Sequence, residues 1–505
     1  MNWYIGLDIG TTNIKACAFC SQIDRRMPCV SISTPRSYSA SSRTAYEYDA
    51  DMLFSACCNV LSQLSALLSD GHVRSLAVSS MGESGILLDD KNRPLCRAVP
   101  WFDTRSIPQA EELNTLIGKE EIYRLTGQIS SGKFGITKLL WFKKHQPELF
   151  SKALHWASIN DYILYRLSGR LVSDYSIASR TMAFDIHQLT WSPKILDVIN
   201  LCQSFFPEAV PGGTAIGSIL PDLAARLGLP KNLSIVTGGH DHSCAAIGSG
   251  SFVPGTVLDS MGTSEVTVLP LAQPLTTHEM FLARISIYPH CSDLLYRALT
   301  SMQACGASMN WFLESIGESI SREAEHLKRS SIVHLQETAA HCEACPELLY
   351  YPFLRGSLAC PSAGGVFLGI RDYHKTEHFA KALLDGLCEE FTFQLYDLLK
   401  TTDTLPHTIR VVGGPSQSPY LMQRKANFCN TIIQVPHMQE AACLGAALLA
   451  CVGCGDLSYE EIQQAIRRFP VRTYFPQRVN SAADAYKAYC SGRKYMEQYF
   501  SSEVS

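Results

Sequence analysis

The sequence predicts an α/β protein of two domains built on one repeated plan. Three observations carry this prediction. The chain has 505 residues, well beyond the roughly 250–300 at which a single core stops growing. Strand patterns and helical patterns follow one another along most of its length, as layered α/β architectures require. The order strand, Gly-Thr turn, strand occurs at 3–19 and again at 257–269, which reads as a duplicated domain with a boundary near 245–255. Residues 1–249 are therefore assigned to a first domain and 250–460 to a second. Residues 461–505 remain as a helical extension packed on the second domain.

Each element follows from local pattern. Residues 3–8 read as a strand, Gly10-Thr11-Thr12 as a turn, and Ile14 to Phe19 as the returning strand of a hairpin. Met52, Leu53, Ala56, Val60, Leu61, Leu64 and Leu67 recur at helical spacing over 50–69. Val73 to Ser79 is a buried strand, and Ile86-Leu87-Leu88 another, ended by Asp89-Asp90-Lys91-Asn92. Helical patterns dominate 105–170. Ser234 to Thr237 is a strand ended by Gly238-Gly239. Val257-Leu258 and Ser264 to Leu269 form the second hairpin, and Ile409 to Val412 is a strand before Gly413-Gly414. Ala380 to Leu399, Tyr420 to Asn430 and 482–500 read as helices, the last packing on the surface.

Composition excludes several classes. Hydrophobic residues make up 46% and charged residues 18%, an ordinary globular balance. A net charge of −4 argues against a nucleic-acid binder. No apolar run approaches the roughly 20 residues that span a bilayer. The N-terminus has no basic segment followed by an apolar one. A cytoplasmic protein without membrane contact is expected; a homodimer is compatible with the sequence. The 19 cysteines are odd in number and irregularly spaced, which argues against a disulfide framework. Three C-x-x-C pairs, Cys17/Cys20, Cys342/Cys345 and Cys451/Cys454, suggest zinc or redox sites. Chance spacing is the preferred reading, because a structural zinc needs four convergent ligands. A strand would also turn Cys17 and Cys20 to opposite faces.

Four motifs carry chemistry. In Asp8-Ile9-Gly10-Thr11-Thr12-Asn13-Ile14-Lys15, a glycine at the hairpin tip lets backbone N–H groups approach phosphate oxygens. Thr11 and Thr12 add hydroxyl donors, Lys15 adds charge, and Asp8 can hold Mg²⁺ through water. The spacing is not that of a Walker A loop. In Gly238-Gly239-His240-Asp241-His242, a strand ends and a helix begins. Asp241 would sit at the helix N-terminus, where the dipole favours its carboxylate and equips it as a general base. Alone, it would read as a helix cap. His240 and His242 give a weak metal signal. Ser260-Met261-Gly262-Thr263-Ser264 repeats the Gly-Thr turn, and Gly413-Gly414-Pro415-Ser416-Gln417-Ser418 leaves room for a flat base.

In this order the motifs resemble the FGGY carbohydrate kinase family, within the actin/Hsp70/hexokinase superfamily, over about residues 3–455. Asp8 to Lys15 resembles its first phosphate motif and Met261 to Ser264 its second. Val412 to Ser418, with Glu440 to Ala447, resembles its adenosine motif. Gly306-Ala307-Ser308-Met309-Asn310-Trp311 is similar to a nucleotide-side helix start, implicating Gly306 and Asn310. Gly132 to Trp141, with Lys138, and Gly365 to Asp385 resemble two signature patterns. The resemblance implies two actin-like (ribonuclease H-like) domains with mixed sheets flanking a nucleotide cleft. It also implies ATP and Mg²⁺ as cofactors and Asp241 as the catalytic base. Thr11, Thr12, Asn13, Lys15, Gly262, Thr263, Gly306, Asn310, Gly414 and Ser418 would bind nucleotide, and Asp8 the metal.

For the acceptor, Ser80 to Gly85, with Met81 and Glu83, is similar to the family's sugar-contacting loop. Trp101-Phe102-Asp103-Thr104-Arg105 resembles a segment of xylulose and gluconate kinases. His242 is placed with this group. Gly82 departs from the arginine of glycerol kinases. Lys133 stands where those enzymes carry tyrosine; it is either a solvated lysine or, turned inward, a sign of an acidic or more polar acceptor. The expected activity is ATP-dependent phosphorylation of a small sugar, foremost a ketopentose such as xylulose. Gluconate and polyol or glycerol remain alternatives. An actin- or Hsp70-like ATPase with a protein partner is the alternative from another class, as is a catalytically dead sugar sensor.

Overall fold

The computed structural model describes residues 2–20, 27–38, 46–68, 71–292, 295–343, 345–438, 440–477 and 480–502. Two mixed sheets organise it. The first is made of β1 (Asn2–Ile9), β2 (Asn13–Cys20), β3 (Cys29–Ser33), β4 (His72–Ser80), β5 (Ala215–Ser218) and β6 (Ser234–His240), in the order β5-β6-β4-β1-β2-β3. The second is made of β7 (Thr256–Met261), β8 (Glu265–Leu271), β9 (Ser286–Pro289), β10 (Tyr296–Met302), β11 (Thr408–Val412), β12 (Ile433–Pro436) and β13 (Val471–Tyr474), in the order β9-β10-β8-β7-β11-β12-β13.

The six strands of the first sheet recur in the second, which adds β9 at its edge. In the first, β1 is antiparallel to β2 and parallel to β4, which is parallel to β6. In the second, β7 is antiparallel to β8 and parallel to β11, which is parallel to β12. Each series ends in an antiparallel edge strand, β5 or β13. The duplication read from the two Gly-Thr turns is thus a duplication of sheet topology. Strand β6 runs on through Gly238-Gly239 to His240, with a register shift after Thr237, where the sequence predicts an end at the glycines.

Helix α1 (Ala50–Ala66) covers β2 and β3 with Leu53, Cys57, Val60, Leu61 and Leu64, a buried stripe at helical spacing. Asp49 caps it, accepting from the N–H groups of Asp51 and Met52. Residue 69, the last of the predicted helical span, lies outside the described residues. The other face of the first sheet is covered by α2 (Asp241–Ser249) and α3 (Ala441–Gly453). Three glycines set this approach. A Cβ on Gly6 would lie 1.8 Å from the Cys443 carbonyl oxygen, one on Gly445 1.8 Å from that of Cys244, and one on Gly248 2.0 Å from that of Ala441.

The packing crosses the sequence boundaries. Helix α3 falls within the predicted second domain yet packs on the first sheet, and β13 lies past residue 460. The terminal helix α4 (Asn480–Ser502) does more than rest on the surface. Tyr489 is fully buried and donates to Glu390, and Arg493 pairs with the same carboxylate at 2.9 Å. Cys17, opposite Cys29 in the β2–β3 pair, is disulfide-bonded to it. No helix among the described residues is long and apolar enough to cross a membrane.

Candidate active site

A cavity of about 1050 Å³ is lined by Asp8 and Lys15 on the strands of the first hairpin, by Ser260 on a strand of the second and by the Gly413-Gly414 turn, while Thr11, Thr12, Gly262, Thr263 and Gly238-Gly239 do not line it. Asp8, Lys15, Asp241 and His242 line it from one side; Ser260, Gly413, Gly414, Ser416, Gln417 and Glu440 line it from the other. Asp8 stands opposite Lys15 in the β1–β2 register and accepts from Ser79 Oγ at 2.7 Å. Burial, and then the neighbouring Asp241 charge, pushes its carboxyl up to about 7, against the Ser79 hydrogen bond. Lys15 Nζ reaches across to Glu440, the cap residue of α3, at 2.6 Å.

The first hairpin is closed by Gly10 N–H donating to the Asn13 carbonyl at 3.0 Å. Thr12 is exposed at its tip. Thr11 Oγ1 accepts from Trp101 Nε1 at 3.1 Å and lies 3.9 Å from Met81 Sδ, so phosphate and acceptor segments touch. The second hairpin leaves Gly262 and Thr263 exposed. Their carbonyls accept from Gly306 and Ala307 N–H, both at 3.0 Å, at the start of the helix Gly306–Glu314. Gly306 is required there, since a Cβ would lie 2.5 Å from the Gly262 oxygen. Asn310 is exposed one turn on. Beneath the hairpin, buried Lys425 pairs with both Asp259 and Glu265. Ser418 does not face the cavity as the motif predicts. It is buried, and its Oγ accepts from Leu421 N–H as the cap of the helix Pro419–Cys429.

Asp241 is the first residue of α2, and His240 rather than Asp241 is the cap. Asp241 Oδ1 accepts from His242 N–H at 2.6 Å. His240 Nδ1 accepts from Arg297 Nη2 at 3.1 Å, which leaves its proton on Nε2. Burial, aided by Arg297 and Arg180, holds this imidazole well below its ordinary pKa, and burial likewise lowers His242. The His240 ring also accounts for Gly82: a Cβ at that position would lie 2.6 Å from His240 Cδ2.

Glu83 occupies the left-handed backbone region, with φ 54°. Its carboxylate is paired with Arg180 and lies 3.7 Å from Lys133 Nζ, so Lys133 reaches toward the acceptor carboxylate with its side chain still 40% exposed. Burial pushes the Glu83 carboxyl up, but Arg180 and Lys133 outweigh it and hold it below its ordinary value. Lys138, fully buried, donates to the carbonyls of Glu83, Pro100 and Val99 at 2.6, 2.8 and 3.3 Å. It staples the Ser80–Gly85 loop to the segment bearing Trp101. Asp103 and Arg105 pair with each other at 2.8 Å, and Arg105 is anchored on Glu47 at 2.7 Å. Arg180, Gln128, Tyr288 and Arg297 complete the surroundings and were not signalled by any motif.

The C-x-x-C pairs resolve without a metal cage among the described residues. Cys345, Glu347 and His374 do converge, Cys345 Sγ lying 3.0 Å from His374 Nε2. However, His374 Nδ1 accepts from Arg371 N–H at 3.0 Å, which leaves Nε2 protonated and a donor rather than a ligand. Cys454 contacts Asp456 and Ser75.

Comparison with known proteins places this arrangement. The N-terminal domain model of the FGGY family of carbohydrate kinases matches residues 3–248 and the C-terminal domain model residues 258–454. Relatives include the xylulose kinase of Bacillus subtilis, 26% identical over 499 residues, covering 95% of this chain and 94% of the relative. Solved structures of the same fold include a ligand-bound xylulose kinase from Lactobacillus acidophilus, with TM-score 0.89, 24% identity and complete coverage of both chains. A gluconate kinase from the same organism has the same values.

Proposed function

The chain belongs to the FGGY family of carbohydrate kinases and is an ATP-dependent sugar kinase, and from that premise we propose that its acceptor is a ketopentose of the xylulose type. The observation that carries the catalytic reading is the convergence of Asp8, Lys15 and Asp241 with Gly413-Gly414 on one cavity. Two carboxylates, a lysine of the first hairpin and a glycine turn with room for adenine share one cavity, which supports this reading.

In this reading Asp241 accepts the proton of the attacking hydroxyl as its oxygen bonds the γ-phosphorus and the bond to the ADP oxygen breaks. Thr11, Thr12 and Thr263 donate to the phosphoryl oxygens, and Lys15 adds charge. Gly262, Asn13, Gly306, Gly414 and Asn310 shape the nucleotide side. Glu83 and Asp103 accept from sugar hydroxyls; Arg105 orients Asp103. Met81, Trp101 and His242 frame the acceptor, and closure of the cleft excludes water. The donor set suits Mg²⁺: Asp8 and Asp241 press on one cavity, and Asp8 is raised partly by that unrelieved repulsion. When bound, the ion would neutralise phosphate charge. We assign the reaction to the cytoplasm, as its use of ATP suggests.

A second acceptor class is favoured by one observation. Arg180 and Lys133 both face Glu83, an excess of positive charge that suits a sugar acid. Turnover of a panel of ketoses, polyols and aldonates with ATP–Mg²⁺, followed by ADP release, decides. The highest kcat/KM is expected for D-xylulose; a higher value for gluconate would reverse the order, and sugar-independent ATP hydrolysis alone would sink both.

A further inference from the structure

Around Glu83 lie buried groups that phosphoryl transfer does not call on. Arg180 is 5% exposed, and its guanidinium sits between the rings of Phe134 and Tyr288, at 5.3 and 4.8 Å from their centroids. Its Nη2 donates to Glu83, and its Nη1 donates to Gln128 Oε1 at 2.8 Å. Gln128 is fully buried and donates from Nε2 to the Ile287 carbonyl at 3.1 Å. Ile287 lies on β9, the edge strand of the second sheet, and its N–H donates to the Gly127 carbonyl at 2.7 Å. Only glycine permits that seam: Gly127 has φ +66°, and a Cβ there would lie 2.0 Å from the Ile287 oxygen. Two side chains therefore join the acceptor carboxylate to the backbone of the second sheet. Neutralising Glu83 would not need the amide behind the arginine, since Lys133 already stands beside the same carboxylate.

We propose that Arg180 and Gln128 form a relay that couples acceptor occupancy at Glu83 to the seating of β9, and, through the pairing of β9 with β10 and of β10 with β8, the strand that follows the Gly262-Thr263 turn, to nucleotide affinity. The proposal rests on the sugar-kinase reading. The guanidinium is a rigid planar fork, so its two arms cannot move independently. A sugar hydroxyl that takes a lone pair of Glu83 shifts the fork, and the shift reaches Ile287 through Gln128. In a buried, low-dielectric network neighbouring hydrogen bonds polarise one another, so a change at one is felt at the next. Arg180 acts through Glu83 and is a positioning residue.

The test is Gln128→Met, which roughly keeps volume, removes the amide's contacts with Arg180, Ile287 and Thr126, and leaves the Arg180–Glu83 pair intact. ADP–Mg²⁺ is titrated calorimetrically with and without saturating D-xylulose, or whichever panel sugar the unmodified enzyme turns over fastest. The unmodified enzyme is expected to bind ADP about tenfold more tightly with sugar present. In Gln128→Met the factor should fall to within about twofold of unity, with acceptor KM raised no more than about threefold. Arg180→Lys keeps the charge but not the fork; it should lose the coupling and also raise acceptor KM. The double variant should lose no more coupling than either single one. Unchanged coupling in Gln128→Met overturns the relay, as does its absence in the unmodified enzyme. Parallel loss of sugar and ADP binding with a lower melting temperature would show a structural role only and overturn it too. If Gln128→Met does not fold, retained coupling in Arg180→Lys overturns the proposal. Failure of the unmodified enzyme to phosphorylate any sugar overturns the kinase reading instead.

Discussion

Replacing Lys138 by methionine removes the ammonium and keeps most of the unbranched side chain, so little cavity is created. Three carbonyls lose a donor. Val99 still accepts from Gly85 N–H at 3.3 Å, and Pro100 from Asp103 N–H at 3.3 Å. No second donor reaches the Glu83 carbonyl among the described residues. That orphaned group costs about 1–3 kcal/mol, and the two partly satisfied carbonyls about 1 kcal/mol each. The charge itself contributes little, because burial pushes the Lys138 ammonium down to about 7 and desolvation offsets much of its attraction. The expected loss is therefore roughly 3–5 kcal/mol, a large share of an ordinary stability. Urea unfolding would measure it. The acceptor should suffer more than the nucleotide, since Lys138 joins the Glu83 loop to the Trp101 segment and touches nothing on the second sheet. Acceptor KM should rise about tenfold or more while the Kd for ADP stays within about twofold. A loss below about 1 kcal/mol, or equal weakening of both ligands, would refute the staple.

Asp241→Asn should bind ADP and sugar normally and lose about 10²–10⁴-fold in kcat in a coupled ADP assay; near-normal turnover would remove Asp241 from the base role. Gly82→Ala drives a methyl into a His240 ring that cannot retreat, being buried and bonded to Arg297. Acceptor KM should rise and stability should fall by about 1–3 kcal/mol; wild-type values for both would show that the ring yields. Glu83 has a lowered folded-state pKa, so its contribution is present above the ordinary glutamate value, about 4.3, and is lost as pH falls below it. The melting-temperature difference between wild type and Glu83→Gln should be constant from about pH 6 to 8 and shrink toward about pH 4. A difference that changes across neutrality would place the charge elsewhere.

The hairpins, the Gly-Gly turns and the duplicated order were legible because each is local. A Gly-Thr turn between alternating strands needs no distant partner to be recognised. The acceptor cage was not legible, for the opposite reason. Arg180 stands alone among Ile177, Ala178, Met182 and Ala183, and its partners Glu83 and Gln128 lie 97 and 52 residues away. Arg297 reaches His240 across 57 residues and two sheets. Helix α3 shows the same limit in packing. Its sequence is apolar on nearly every side, so no stripe reveals which sheet it covers. Only the matched glycines, Gly6, Gly248 and Gly445, decide this, and their pairing exists in space alone. Gly82 joins the two cases. In the sequence it is a departure from the loop of glycerol kinases, with no stated cause. In the structure its missing Cβ makes room for His240, the cap of the helix that begins at Asp241. The acceptor loop and the catalytic helix are therefore fitted to each other, and a change in either one is felt by the other.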